Sequence, residues 1–334
     1  MESLQGLKSR LGAVKNVGTI TKAMEVVSAT KMRKSQEVAL RTRPYAIEAL
    51  DMLRKITKHV ANGDNGRRTS PWTSSDVQKS KKTLLVLVAS DRGLAGSFNA
   101  QVLRAADAHL ATGLPSGNPV AAISVLAIGK KAQRWALKNN LEIAGEFSGF
   151  DDVVDFDEVL HVANTVLEGF EAGQWDRVVT ISTHFRTALK QEVLMREILP
   201  TNPEKIEETI DELVPERGRY ANLEVPPPSK DLDVARPLGR PTSKADEVAY
   251  LLEPSAEAII DELVPYLIRM QMYHLILEAN ASEHSARRVA MKTACDNADE
   301  LAENLTLFYN KARQAAITKE IIEISGTQNA LEAA

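Results

Sequence analysis

The residues best placed to do chemistry lie in one short loop, Ser90-Asp91-Arg92-Gly93-Leu94-Ala95-Gly96-Ser97-Phe98-Asn99, directly after the apolar run Thr83–Ala89. A glycine-bearing loop behind a strand is where α/β sheets commonly bind phosphate groups, because small residues let backbone N–H groups approach an anion. This loop has neither the G-x-G-x-x-G nor the G-x-x-x-x-G-K-[ST] spacing, and no lysine follows Gly96 to reach a phosphate. Gly93 and Gly96 therefore read as tight-turn residues. The six histidines show no metal-ligand spacing, and His274 and His284 stand ten apart with nothing like H-E-x-x-H around them. Asp151 and Asp152 are adjacent, which in a loop is turn chemistry and not an acid/base pair. A single cysteine, Cys295, excludes an internal disulfide and fits a reducing compartment. No catalytic constellation emerges, and no cofactor or metal is expected.

The elements around that loop alternate. Thr83–Ala89, Ala121–Ile128, Glu142–Phe147 and Arg177–Thr183 read as strands, with helices over Asn99–Leu110, Lys130–Asn139 and Asp157–Glu171. Ala188–Leu199 alternates well enough for an outer strand. Strands alternating with helices of ten to fifteen residues argue an open, Rossmann-like α/β sheet with parallel strands, over residues 83–200. Residues 59–82 are polar and turn-rich, a linker. Residues 201–243 are acidic and proline-rich, with three prolines at 226–228, and read as an irregular loop.

The ends of the chain follow another rule. From Tyr266 to Ser325 there is neither glycine nor proline, and Met291, Ala294, Ala298, Leu301, Leu305, Phe308, Ala312 and Ala315 recur at steps of three and four. That spacing puts them on one stripe of an α-helix, the seam of a coiled coil. Sixty helical residues span about 90 Å, far longer than a small domain is wide. At the other end, Leu4, Leu7, Leu11, Val14, Gly18 and Thr21 repeat the pattern, with a drifting series through Val17, Ile20, Met24 and Val27. The spacing predicts a helix over residues 3–58, with Pro44 as a kink point, paired antiparallel with the carboxy-terminal helix. The fold class expected is α/β: a long antiparallel coiled coil over 1–60 and 244–326, plus the central domain.

Charge is uneven. Residues 1–58 hold twelve Lys/Arg against five acids, and residues 200–262 hold fifteen acids against seven bases. Aromatic residues are nearly absent among the amino-terminal bases, so stacking platforms for a single strand are missing, and an acidic protein partner is favoured over nucleic acid. No apolar run approaches the ~20 residues of a membrane span. The start, MESLQGLKSR, has no apolar core of a secretory signal.

Four motifs carry a resemblance. ITKAMEVVSATKMRKSQ (Ile20–Gln36) closely resembles the amino-terminal signature of the γ subunit of F-type ATP synthases, and SDRGLAGSFN resembles that family's S-D-R-G-L-C-G-x-x-N turn. ARRVAMKTACDNA (Ala286–Ala298) and NKARQAAITKEIIEI (Asn310–Ile324) resemble its two carboxy-terminal signatures, so the likeness covers essentially the whole chain in the family's order. The resemblance implies a non-catalytic central rotor shaft that couples rotation of the c-ring to conformational cycling of the β subunits. Implied partners are the α and β subunits of the catalytic hexamer, the ε subunit and the c-ring, with no nucleic acid and no direct nucleotide binding. It also implies a peripheral place on the cytoplasmic side of a bacterial inner membrane rather than in an organelle.

Residue by residue, Arg313 and Gln314 match the pair that hydrogen-bonds a loop of one β subunit, and Thr318 and Glu320 match polar positions nearby that help set coupling. Met24 and Arg287 match positions near an acidic lever segment of β, with Lys31–Lys34 adding to that field. Ile317, Ile321, Ile322 and Ile324 match an apolar end turning in an apolar sleeve, and Tyr250 a foot position close to the c-ring and ε. The chain departs from the pattern at Ala95, where the turn has a cysteine, and at Arg288, where an apolar residue is common. It lacks the paired cysteines of a thiol switch. The competing reading of the same residues is a coiled-coil scaffold that does not rotate, or a basic hairpin that binds nucleic acid.

Overall fold

A computed structural model of the 334-residue chain describes residues 3–62, 72, 82–112, 123–150, 154–187, 190–201, 206 and 256–332. The elements are α1 (Leu4–Asn62), β1 (Thr83–Val88), α2 (Phe98–Thr112), β2 (Ile123–Ile128), α3 (Lys130–Lys138), β3 (Glu142–Phe147), α4 (Phe156–Glu171), β4 (Arg177–Phe185), β5 (Gln191–Leu199) and α5 (Ala256–Glu332). The expected fold class is what forms: two long terminal helices around a central α/β sheet. The chain divides into two compact units, Met1–Thr30 with Arg287–Ala334, and Lys31–Ala286. Nearly all of the acidic stretch 201–243 and of the linker 59–82 lies outside the described residues.

In the larger unit the sheet order is β3-β2-β1-β4-β5. The first four strands are parallel, because each pair is joined by a crossover helix; β5 returns antiparallel to β4 as the edge. β1 is buried along its whole length, which explains its unbroken apolar run. One face of the sheet packs α2 and α3 through Val102, Ala106, Ala132, Trp135 and Ala136. The other face carries α4 and parts of both long helices, including Leu53, Ile56, Ile260, Val264, Ile268 and Met272. Gly129 begins α3 at φ 90°, and a Cβ there would stand 2.0 Å from the Ala89 carbonyl oxygen, so only glycine fits that crossing.

The smaller unit is a pair of helices running in opposite directions. Gly18 faces Ala298 and Asp299, Lys22 feels the charge of Asp296, and Glu25 feels Lys292 and Arg288, so numbers rise on α1 as they fall on α5. Over the first 30 residues, the buried or half-buried positions on α1 are Leu4, Gly6, Leu7, Leu11, Val14, Gly18, Thr21, Met24, Glu25, Ser28 and Ala29. The first series therefore lies on the seam. Of the drifting series only Met24 does: Val17, Ile20 and Val27 are 52 %, 59 % and 51 % exposed. The stripe stays in phase because Thr21 and Ser28 occupy seam positions, and Thr21 Oγ1 donates back to the Val17 and Gly18 carbonyls, each at 3.0 Å. On α5 the buried or half-buried positions of the seam are Met291, Ala294, Cys295, Ala298, Ala302, Leu305, Thr306, Tyr309, Ala312 and Ala316. Leu301 and Phe308, expected on it, point outward at 48 % and 63 % exposure, and Ala315, also expected on it, is exposed. Cys295 is buried, its Sγ 3.8 Å from the Gly18 carbonyl oxygen.

Candidate functional site

The loop that could have held a phosphate is filled by the chain itself. Asp91 sits at the carboxyl end of the sheet, and its Oδ1 accepts from Lys130 N–H at 2.9 Å while Oδ2 accepts from Gly149 N–H at 2.7 Å. Lys130 N–H is a first-turn donor of α3 of the kind an anion would use, and Gly149 N–H lies in the turn after β3, so the Asp91 carboxylate stands between those two segments. Ser90 and Asn99 close the loop with reciprocal side-chain hydrogen bonds of 2.7 and 2.9 Å. Leu94, at φ 64°, is left 63 % exposed. Among the described residues no group of three His, Cys, Asp or Glu could hold a metal. The loop is a structural corner of the sheet.

The side chains that remain available for function lie on the helical pair. Arg313, Gln314, Thr318 and Glu320 are all exposed on α5. Arg313, Ile317, Glu320 and Ile324 fall at steps of four, three and four, so charged and apolar side chains share one exposed row beside the Ala312–Ala316 stripe. Ile317, Ile321, Ile322 and Ile324 are 48–67 % exposed. Met24 is half-buried on the seam. Arg287 is only 9 % exposed and already engages another group of the chain, which sets it apart from the exposed arginine at 313. A 2.9 Å hydrogen bond from Lys22 and the charge of that lysine, with smaller help from Lys292 and the half-buried Arg288, hold the Glu25 carboxyl below its ordinary value. Tyr250 lies outside the described residues.

Sequence reasoning missed a second apolar stripe. Val17, Ile20 and Val27 share one outward row on α1, and Leu301 and Phe308 one on α5, while Val26 and Leu307 are exposed on other faces; all seven are 48–70 % exposed. The signal was present: a helix with two apolar stripes has two neighbours, one on the seam and one outside it. It was read as drift of a single seam. Side chains of this kind make and break no covalent bonds. What they can do is present different contacts at different angles to a surrounding surface, which biases that surface's conformational equilibrium.

Comparison with known proteins agrees with this geometry. The family described as ATP synthase matches residues 3–331. The ATP synthase gamma chain of Salinibacter ruber is 30 % identical over 99 % of each chain, and that of Roseiflexus castenholzii is 35 % identical over 99 % of each. A chain in the cryo-EM structure of the Euglena gracilis mitochondrial ATP synthase, solved as OSCP, F1 and c-ring, aligns with a TM-score of 0.60 at 19 % identity, covering 99 % of this chain and 95 % of that one. A chain from the central stalk and c-ring of the Tetrahymena thermophila enzyme aligns at 0.51 and 20 % identity, covering 82 % and 99 %. At these identities the solved structures speak for the fold.

Proposed function

The chain belongs to the ATP synthase gamma chain family, central-stalk rotor subunits that are not themselves catalytic, and from that premise we propose how its surfaces work in an F-type complex. The helical pair turns inside the hexamer of α and β subunits, while the α/β unit is carried with ε on the c-ring. Arg313 and Gln314 hydrogen-bond a loop of one β subunit at a time. The five fixed donors of the guanidinium suit a catch that engages at one angle and releases at the next. Thr318 and Glu320 tune that contact, Met24 and Arg287 act near an acidic segment of β, and Tyr250 belongs to the foot. The isoleucines at 317, 321, 322 and 324 run in an apolar sleeve. This chain takes a peripheral place in the complex, on the cytoplasmic face of a bacterial inner membrane; among the described residues no helix is long and apolar enough to cross a membrane.

The observation that carries the reading is the outward apolar stripe on a narrow helical pair. A solvated scaffold has no use for Leu307 and Phe308 at 70 % and 63 % exposure, whereas a shaft enclosed by other subunits does. Affinity purification in detergent tests it: the chain is recovered with α, β, ε and c subunits, and recovery with nucleic acid instead would overturn it. Replacing Arg313 and Gln314 together by alanine should leave assembly intact and slow both ATP hydrolysis and synthesis at least tenfold. Unchanged turnover would remove the catch.

A further inference from the structure

Four side chains on one face of α5, His274, Glu278, Ser282 and Ser285, are 5 %, 1 %, 0 % and 0 % exposed. Their steps of four, four and three set them in a single row about 16 Å long. The row is tied to the last two strands. Glu278 Oε2 lies 2.5 Å from His184 Nδ1 on β4, Ser282 Oγ donates to the Thr183 carbonyl at 3.5 Å, and Gln191 Nε2 on β5 donates to Ser285 Oγ at 3.3 Å. The other carboxylate oxygen, Glu278 Oε1, is 3.1 Å from His274 Nε2. No part of the loop chemistry or of the exposed helical surface uses these groups.

Burial alone would push the Glu278 carboxyl up. The charge of His274 and the hydrogen bonds from His184 and His274 outweigh that, and hold it well below the usual carboxylate range. An ionised carboxylate only accepts, so His184 Nδ1 and His274 Nε2 must each carry a hydrogen.

Around this row α5 is held to the sheet by apolar side chains such as Ile268, Met272, Leu275 and Ile276. Apolar contact is non-directional, so it presses the helix down while leaving a slide or a roll inexpensive. The polar row differs. A roll of α5, or a slip of one turn, would strand a buried carboxylate and buried hydroxyls away from their partners.

We propose that His274, Glu278, Ser282 and Ser285 form a register rail that fixes the axial and rotational position of α5 on the sheet, with Glu278 as its positioning residue. A twisting load on α5 is then borne by directional hydrogen bonds to β4 and β5. The inference rests on the rotor reading above.

The test uses the assembled complex in vesicles and measures protons pumped per ATP hydrolysed. The parent complex comes first: if it pumps equally well without this chain, the rotor reading itself falls. The informative variant is the triple H184L/H274L/E278L, because apolar groups of similar shape replacing every partner of a buried polar cluster are tolerated in folding. It should assemble and hydrolyse ATP while the pumping ratio drops at least twofold. His184→Asn, which keeps an N–H donor near the Nδ1 position, should pump like the parent, and His184→Leu should not. A triple variant with the parent's ratio overturns the rail. So does a triple variant that no longer assembles, since the cluster would then be a folding requirement and not a positioning device.

Discussion

At the scale of single residues, the structure separates side chains that hold the fold from those left free to meet something else. Glu278 is of the first kind. Its folded pKa is depressed, so its contribution to stability is present above the ordinary value of 4.5 and is lost as pH falls through the folded value. Glu278→Gln should therefore cost on the order of 3 kcal/mol at pH 6, and the gap between the two proteins should narrow below about pH 4.5, as read by urea unfolding at several pH values. A gap that widens on acidification would reverse the assignment. Gly18 is a milder case. A Cβ there would meet Ala298 Cβ at 3.6 Å and Asp299 Oδ1 at 3.7 Å, which is ordinary van der Waals contact. Gly18→Ala should then raise stability by about 0.5–1 kcal/mol through helix propensity. A loss would mean that the backbones need more room than the Cβ test allows. None of this was visible in the sequence, because His184 and Glu278 stand 94 positions apart and neither has a motif.

At the scale of elements, the strands were legible because the parallel sheet is buried on both faces and writes itself as runs such as TLLVLV. β4 is longer than the expected run by two residues, His184 and Phe185, because these extend it alongside β5. The helices were legible as helices. Their seam was legible in part, through Leu4–Thr21 on α1 and Met291, Ala298, Leu305 and Ala312 on α5, and the reason for the rest is specific: Ser28 and Cys295 occupy buried positions, while Val17, Ile20, Leu301 and Phe308 face outward. A search for apolar periodicity follows the larger apolar side chains wherever they point. The two assignments are distinguishable by unfolding the isolated chain. Leu305→Ala, at a seam position 7 % exposed, should cost about 2–3 kcal/mol, whereas Leu301→Ala and Phe308→Ala should change stability by ~0.5 kcal/mol or less. Equal losses at all three would restore the first seam.

At the scale of the whole molecule, function was legible through resemblance and not through chemistry. Periodicity gave two helices that need each other; rotation, the hexamer and the roles of Arg313 and Gln314 came from matching motifs. The α/β unit keeps the layout of a nucleotide-binding sheet, yet the loop after β1 lacks the phosphate-binding spacing and its Asp91 is spent on Lys130 N–H at the start of α3 and on Gly149 N–H after β3. The isolated chain should accordingly hydrolyse no ATP above background in a coupled assay, and measurable turnover would contradict the account at its root. One feature reaches beyond the working complex. Among the residues whose burial is described, the last half-buried position on the seam of α5 is Ala316, and the four isoleucines that follow, at 317, 321, 322 and 324, are exposed. Before assembly, those side chains offer a sticky surface to any other unfinished protein. Copies made in excess of the hexamers that receive them would be a burden on the cell's chaperones and proteases. The chemistry of the shaft's tip thus sets a demand on gene dosage: supply of this chain has to keep step with supply of its housing.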